Sequence, residues 1–283
     1  MKRTLCILSL ALGTFACATA TLHQRVLDRP GYPRLHIEDG GRGRGVPVIF
    51  VHGIGGESGQ WNAQLTALRA HRRAVAFDLR GMGASPVAAD SDYTLAAMER
   101  DLDAVVGSLG IRRFVLVGHS YGGAVAARYA ATHPDRVAGL LLVEPAAQLN
   151  IPDAAAKQLG DALRSSRDKL VPQLFGPALA PSSAEVKSAV FRSIANSNPA
   201  AFAAAFLGLR DFDAKAAVIA YRGPRLLIAA SAIEQPVSFQ RQFAEYPVHR
   251  VDGAGHWLML DRPDELNRLL LEFLEEVDRP AGR

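Results

Sequence analysis

The chain has 283 residues and a formal net charge of +4. This length is enough for one large domain with a substantial core, and we expect a single domain that carries an insertion. The arginines are spread along the chain without an interleaved aromatic pattern, which argues against a nucleic-acid-binding protein.

The first twenty residues have the layout of a secretory signal peptide. Lys2 and Arg3 precede an apolar run at 5–12, and small residues follow up to Ala20. The run is too short to span a bilayer as a mature helix. We therefore expect cleavage after Ala20 and export to the periplasm or out of the cell, with lipid attachment at Cys17 as the alternative.

Cleavage after residue 20 would change both the charge and the thiol content of the chain. It removes two positive charges and no acids, which leaves a net charge of +2. It also removes Cys6 and Cys17, the two cysteines of the sequence. The mature chain would then have neither a disulfide framework nor a cysteine nucleophile or cysteine metal site.

Beyond a Gly/Arg turn at residues 40–45, short apolar runs alternate with amphipathic segments. Four runs have the pattern of buried parallel strands: VPVIFVHG, RAVAFDLRG, RRFVLVGHS and VAGLLLVEP. Between them, residues 59–70, 93–109 and 121–132 carry apolar residues at helical spacing. This alternation predicts an α/β fold with a mostly parallel, doubly wound sheet.

The alternation breaks between about residues 146 and 222, where the composition is helical and includes five phenylalanines. The strands then resume at PRLLIAAS and PVHRVDGAGH, and PDELNRLLLEFLEEV predicts a final helix. We expect residues 147–222 to form a helical lid, inserted after the sixth strand of a single domain at 21–283. Such a lid would cover the carboxyl ends of the strands, where open α/β sheets bind ligands.

The segment GHSYGG, Gly118 to Gly123, lies where an apolar strand ends and a helix begins. It matches the G-x-S-x-G nucleophile elbow in the strand-turn-helix context that this motif requires. The flanking glycines let strand and helix approach closely while the turn holds the nucleophile in a strained conformation. Ser120 is therefore the candidate nucleophile.

Two further segments supply the groups that a nucleophilic serine needs. FVHGIGG ends a strand and leaves free backbone N–H groups, so we predict an oxyanion hole formed by the N–H groups of Ile54 and Tyr121. We expect His52 to be structural. In VDGAGHWLMLDRPDEL, His256 follows a strand and precedes the last helix, so it is the candidate general base.

Between about residues 33 and 277, the motifs HGIGG, FDLRGMGAS, GHSYGG and GAGH resemble, in order and spacing, those of the lidded, single-domain serine α/β-hydrolases. The resemblance implies the α/β-hydrolase fold. In FDLRGMGAS, the residues Asp78, Arg80 and Gly81 resemble turn-forming scaffold residues of the family.

The acid of the triad departs from the family pattern. The family usually places an Asp shortly after the strand that follows the lid, but here that stretch reads LLIAASAIEQP, with Ile233 at the expected position. Glu234 is one residue further on. Glu144, which ends the strand before the lid, resembles the triad Glu of some haloalkane dehalogenases. We favour Glu144 because a buried carboxylate at a strand end needs a partner such as an imidazole N–H, and we keep Glu234 as the alternative.

Together these residues predict acyl transfer to water without a metal or organic cofactor. Aromatic residues in the lid, with Trp61 and Trp257 near the motifs, indicate a pocket for a small-molecule ester with an apolar acyl or aryl group. Hydrolysis of a C–C bond, a lactone or an amide on the same triad remains open, as does cofactor-free peroxidase activity. So does a binding or sensor protein with little turnover, and the sequence indicates no oligomeric state.

Overall fold

The computed structural model describes residues 22–28, 32–231, 237–243 and 247–279. The expected signal peptide, both cysteines and the alternative acid Glu234 lie outside these residues. No helix in the described ranges is long and apolar enough to cross a membrane.

The described strands form one eight-stranded sheet in the order β1-β2-β4-β3-β5-β6-β7-β8. The strands are β1 (Leu22–Leu27), β2 (Leu35–Gly40), β3 (Val48–Val51), β4 (Ala74–Phe77), β5 (Phe114–His119), β6 (Val137–Val143), β7 (Arg225–Ala230) and β8 (His249–Val251). The pairs β1–β2 and β2–β4 are antiparallel, and the other pairs are parallel. The predicted α/β fold with a mostly parallel sheet is confirmed.

Eleven helices are present in the described part of the chain. They are α1 (Asn62–Arg69), α2 (Leu95–Ser108), α3 (Tyr121–Thr132), α4 (Asp153–Ser165), α5 (Arg167–Phe175), α6 (Ala184–Asn196), α7 (Pro199–Gly208), α8 (Ala214–Ala220), α9 (Phe239–Gln242), α10 (Leu258–Asp261) and α11 (Pro263–Asp278). The predicted helix at 59–70 begins later because Ser58–Trp61 forms a 3₁₀ turn. The segment predicted at 93–109 forms α2, which begins two residues later because Thr94 caps it: the Thr94 hydroxyl accepts a hydrogen bond from the Ala97 N–H.

The apolar runs explain why the sheet lies at the centre of the molecule. Every residue of β3, β4, β5 and β6 is buried, as expected for parallel strands that are covered on both faces. Between β6 and β7 the described chain is helical rather than extended and contains α4 to α8. Strands β5 and β6 pair in register up to His119 and Val143. The residues that follow them, Ser120 and Glu144, are therefore neighbours at the carboxyl edge of the sheet.

Candidate active site

Ser120 sits in a tight turn between β5 and α3, with φ 50° and ψ −117°. Glycine is required around it because a Cβ on Gly122 would lie 2.3 Å from the carbonyl oxygen of His52. A Cβ on Gly118 would lie 2.4 Å from the carbonyl oxygen of Gly122. The turn therefore depends on glycine to bring strand and helix together, and it presents Ser120 at the N-terminus of α3, next to a cavity.

His256 lies in the loop between β8 and α10 and is held by contacts along its backbone. Its N–H donates to the carbonyl of Ala178 in the lid region at 2.9 Å. The preceding N–H of Gly255 donates to the Asp261 carboxylate at 2.8 Å, and the same carboxylate oxygen accepts from the Ser182 hydroxyl at 2.9 Å. The lid and the end of α10 thus fix the loop that carries the imidazole.

Glu144 follows β6 and is fully buried, with a positive φ of 48°. Its Oε2 lies 2.9 Å from His256 Nδ1, and its Oε1 accepts the N–H of Ala230 at 2.6 Å. The Nε2 atom of Gln240 lies 3.5 Å from both carboxylate oxygens. The structure therefore brings Glu144 and His256 together, whereas the alternative acid Glu234 lies outside the described residues.

The contact between Glu144 and His256 determines which nitrogen of the imidazole carries the proton. A carboxylate can only accept, so the hydrogen bond assigns the proton to Nδ1 of a neutral ring. The lone pair then lies on Nε2, the nitrogen that a general base uses. Ser120 and His256 line the same cavity, 8% and 7% exposed respectively, so both are reachable from it.

The two predicted oxyanion donors, Ile54 and Tyr121, also line this cavity. Tyr121 is the first residue of α3, where a helix leaves its N–H groups without an acceptor. Within the described ranges, neither N–H has a hydrogen-bond acceptor. The adjacent Gly55 is held by its N–H on Met82 Sδ at 3.3 Å and by its carbonyl, which accepts the Ser193 hydroxyl of α6 at 2.8 Å. Helix α6 and the turn after β4 that contains Met82 thus both hold this loop.

Two buried histidines pack behind Ser120 and bond to the backbone. His52 Nδ1 lies 2.7 Å from the Gly53 carbonyl, and its Nε2 accepts the Leu79 N–H at 3.0 Å. His119 Nε2 lies 2.9 Å from the carbonyl of His256, and the two rings are 4.8 Å apart. Burial lowers the pKa of both His52 and His119, and the neighbouring His256 lowers that of His119 further. Both are neutral residues that hold loops.

The FDLRGMGAS segment supports the site without lining the cavity. Asp78 accepts the N–H groups of Ser58 at 2.5 Å and Ala84 at 2.7 Å. Arg80 forms a bidentate pair with Asp101, with N···O distances of 2.6 and 2.5 Å. These buried contacts order the turns beside the loop that contains Ile54 and Gly55.

The cavity has a volume of about 300 Å³ and mostly apolar walls. Its apolar lining includes Leu149, Ile151, Leu159, Leu174, Phe175 and Phe206. Neither tryptophan lines it, because Trp61 packs on Phe50 in the core and Trp257 packs against the edge of Phe175. In the part of the chain that the structure describes, no group of three His, Cys, Asp or Glu side chains could hold a metal ion.

Sequence reasoning missed the residues that surround Glu144 and the one that holds Gly55. Gln240 and the N–H of Ala230 were not predicted, and neither was Ser193 of the lid. No motif marks these positions, because each acts through a contact with a residue far away in the chain. The cavity lining from the lid had only a compositional signal, its richness in apolar side chains.

Comparison with known proteins identifies the family. Residues 48–269 match the alpha/beta hydrolase family. The chain is 32% identical over 264 residues to "Putative carbamate hydrolase RutD" of Variovorax paradoxus (strain S110), covering 87% of this chain and 98% of that protein. It is 28% identical to the sn-1-specific diacylglycerol lipase ABHD11 of Mus musculus, with 80% of each chain covered.

A solved structure leads to the same family. The thermophilic esterase of Thermogutta terrifontis is 27% identical, with a TM-score of 0.77, and the match covers 93% of this chain and 100% of that chain. The resemblance to the α/β-hydrolases is thereby confirmed. The chain belongs to the α/β-hydrolase family, and it is a hydrolase of that superfamily.

Proposed function

We propose that the protein is a serine hydrolase that cleaves a carboxylic ester through an acyl-enzyme. Ser120 is the nucleophile, His256 the general base and Glu144 the acid that orients the imidazole. The observation that carries this proposal is the 2.9 Å contact between His256 Nδ1 and the buried Glu144, on the wall of the cavity that also contains Ser120.

The chemistry follows from these positions. The Ser120 hydroxyl attacks the ester carbonyl while His256 Nε2 takes its proton, and the imidazolium then protonates the leaving alcohol. Water, activated by the same nitrogen, next cleaves the acyl-enzyme. Negative charge develops on the carbonyl oxygen, where the N–H groups of Ile54 and Tyr121 stabilise it. Glu144 remains ionised throughout and stabilises the imidazolium.

The cavity supports an uncharged substrate with an apolar acyl or aryl group. Its walls carry aliphatic and aromatic side chains, and its polar groups are mainly those assigned to the reaction. The carboxylate on the wall, Glu144, is already engaged by His256 and Ala230. A charged substrate group would lose its hydration here without gaining an opposite charge, so an ester of a small or medium apolar acid fits best.

A panel of p-nitrophenyl esters of increasing acyl length tests this function together with a fluorophosphonate probe. We expect turnover of apolar esters and covalent labelling, and we expect Ser120→Ala to abolish labelling and to lower kcat by on the order of 10⁴- to 10⁶-fold. Ser188→Ala, on the exposed face of α6, is the matched control and should keep both.

Other outcomes of the panel identify the alternatives. Turnover of carbamates, lactones, amides or β-diketones in preference to esters would move the substrate class while keeping the nucleophile. Turnover with peroxide would indicate peroxidase activity. Reversible binding of esters without labelling or turnover would favour a sensor on a hydrolase scaffold and would overturn the proposal.

We also propose that residues 1–20 direct export and are removed. N-terminal sequencing of protein recovered from the periplasm or the medium should begin at Thr21. A lipid-modified N-terminus at Cys17 would support the alternative processing, and an intact Met1 would contradict both.

A further inference from the structure

The Glu144 carboxylate is completely removed from water and depends on the protein for its hydrogen bonds. An ionised carboxylate in such a place is stable only if donors replace its hydration. The Ala230 N–H binds Oε1 and His256 Nδ1 binds Oε2. These two donors approach from β7 and from the loop after β8, and each contacts a single oxygen.

A third donor, Gln240, approaches from α9 and faces both oxygens. Its Nε2 is 3.5 Å from Oε1 and 3.5 Å from Oε2 of Glu144. The side chain is buried, with only 2% of the residue exposed. An amide oxygen in the same place would face the carboxylate with two acceptors in opposition, so this contact also fixes which way the amide points.

The other half of the Gln240 amide has no compensating contact. Its Oε1 is buried and has no hydrogen-bond partner among the described residues. An apolar side chain of similar size would avoid this unsatisfied acceptor, which costs about 1–3 kcal/mol. Packing alone therefore gives no reason for a glutamine here, whereas a donor directed at Glu144 does.

The backbone ties α9 to the strand end that carries Glu144. The N–H of Phe239 donates to the carbonyl of Pro145 at 2.9 Å, and Ser238 forms an antiparallel bridge with Ala146. The two residues that precede Gln240 thus tie the start of α9 to the segment that follows Glu144. Movement of Glu144 would have to carry α9 with it.

We propose that Gln240 is a positioning residue that holds the Glu144 carboxylate in the orientation needed by His256. This inference rests on the proposed function, because it requires Glu144 to be the acid of the triad. By facing both oxygens, the amide restrains rotation of the carboxylate, so that Oε2 stays directed at Nδ1 when the imidazolium forms. A misaligned carboxylate would slow each proton transfer while leaving the substrate cavity unchanged.

Two variants separate donation from packing. Gln240→Met keeps a long side chain and removes the donor, and we expect kcat to fall by about 5- to 10-fold. Gln240→Glu keeps the shape and replaces the donor by an acceptor beside Glu144, and we expect a fall of about 100-fold. KM for a p-nitrophenyl ester should stay within about twofold in both, because Gln240 does not line the cavity.

The matched control is Gln242→Met, two residues further along the same short helix. The Gln242 Nε2 donates to the carbonyl of Gln148 at 2.7 Å rather than to Glu144. We expect kcat of this variant to match the wild type. Thermal unfolding of all variants verifies that they are folded, and if Gln240→Glu does not fold, Gln240→Met carries the test.

A spectroscopic measurement reports the positioning directly. The His256 Nδ1–H proton should give a strongly downfield resonance in protein labelled with ¹⁵N-histidine, because it lies in the hydrogen bond to Glu144. We expect this resonance to move upfield or broaden in both Gln240 variants and to stay unchanged in the control. Wild-type kcat together with an unchanged resonance in the Gln240 variants would overturn the inference.

Glu144→Gln in the same assay distinguishes the two possible failures. If Glu144→Gln is as active as the wild type, the proposed triad is wrong and the role of Gln240 fails with it. If Glu144→Gln loses activity while both Gln240 variants behave as the wild type, the triad stands and the inference about Gln240 alone is wrong.

Discussion

The ends of the neighbouring strands β5 and β6 carry the two non-glycine residues of positive φ at the candidate active site, Ser120 at 50° and Glu144 at 48°. The two ends differ in how this conformation is held. Around Ser120 the glycines make room for the turn, and any Cβ at Gly122 would overlap the backbone of β3 and its following residue. Around Glu144 the chain has no glycine; Pro145 follows it directly.

Contacts from distant segments hold the second strand end instead. The N–H of Glu144 donates to the Ile228 carbonyl at 2.8 Å, and the N–H of Ala147 donates to the Val237 carbonyl at 2.6 Å. The carboxylate is bound by Ala230, His256 and Gln240. Strained conformations persist where the surroundings over-determine them. At Ser120 the glycines that permit the turn are adjacent in sequence, whereas at Glu144 the residues that hold the carboxylate come from distant segments.

Among the tests of this comparison, the largest expected effect concerns whether the second strand end supplies the acid. Glu144→Gln should lower kcat by about 10³- to 10⁴-fold, because Gln cannot stabilise the imidazolium and can stabilise the wrong tautomer. Glu234→Gln should stay within about twofold of the wild type. Steady-state kinetics on one p-nitrophenyl ester compares them, and a loss confined to Glu234→Gln would reverse the assignment.

The dependence of the Ser120 turn on glycine can be measured as stability. Gly122→Ala places a Cβ 2.3 and 2.4 Å from the carbonyl oxygens of His52 and Val51, so we expect a loss of about 3 kcal/mol in the free energy of unfolding. The control is Gly107→Ala, on the exposed face of α2, where the new Cβ has no neighbour within 4 Å. We expect its free energy of unfolding to rise by about 0.5–1 kcal/mol, because alanine is favoured over glycine inside a helix. Urea denaturation measures both, and equal stabilities would contradict the steric account.

The smallest expected effect concerns the histidines behind the turn. Burial lowers the pKa of His119 and His52 in the folded chain. In the unfolded chain both histidines have the ordinary pKa of about 6.5, so below that pH the unfolded chain binds protons that the folded chain does not. The free energy of unfolding should therefore fall as the pH decreases below about 6.5, with a slope of up to about 1.4 kcal/mol per pH unit for each histidine.

Replacing one of these histidines should reduce that slope. In His119→Gln the amide can still donate to the His256 carbonyl, but one titrating group is lost, so we expect a shallower fall between pH 7 and pH 5. His249→Gln, at an exposed position in β8, serves as the control. An unchanged slope in His119→Gln would show that acid sensitivity arises elsewhere.

The sequence alone determined the parallel sheet, its alternation with helices and the order of the catalytic motifs. It could do so because each signal is local: apolar runs mark strands that are buried on both faces, and glycine spacing marks the turn that holds Ser120. The antiparallel strands β1 and β2 at the edge of the sheet were not predicted. They are partly exposed and mix polar with apolar residues, and so lack a continuous apolar run.

Only the tertiary structure could bring Glu144 together with His256 and with the groups that surround its carboxylate. Glu144 and His256 are 112 residues apart, and sequence spacing does not determine whether two such side chains meet. The same holds for Gln240, 96 residues from Glu144, and for the lid residues that form the cavity wall. Hydrogen bonding and burial depend on distances in space, and the folded sheet sets those distances by placing the ends of β5, β6 and β7 side by side.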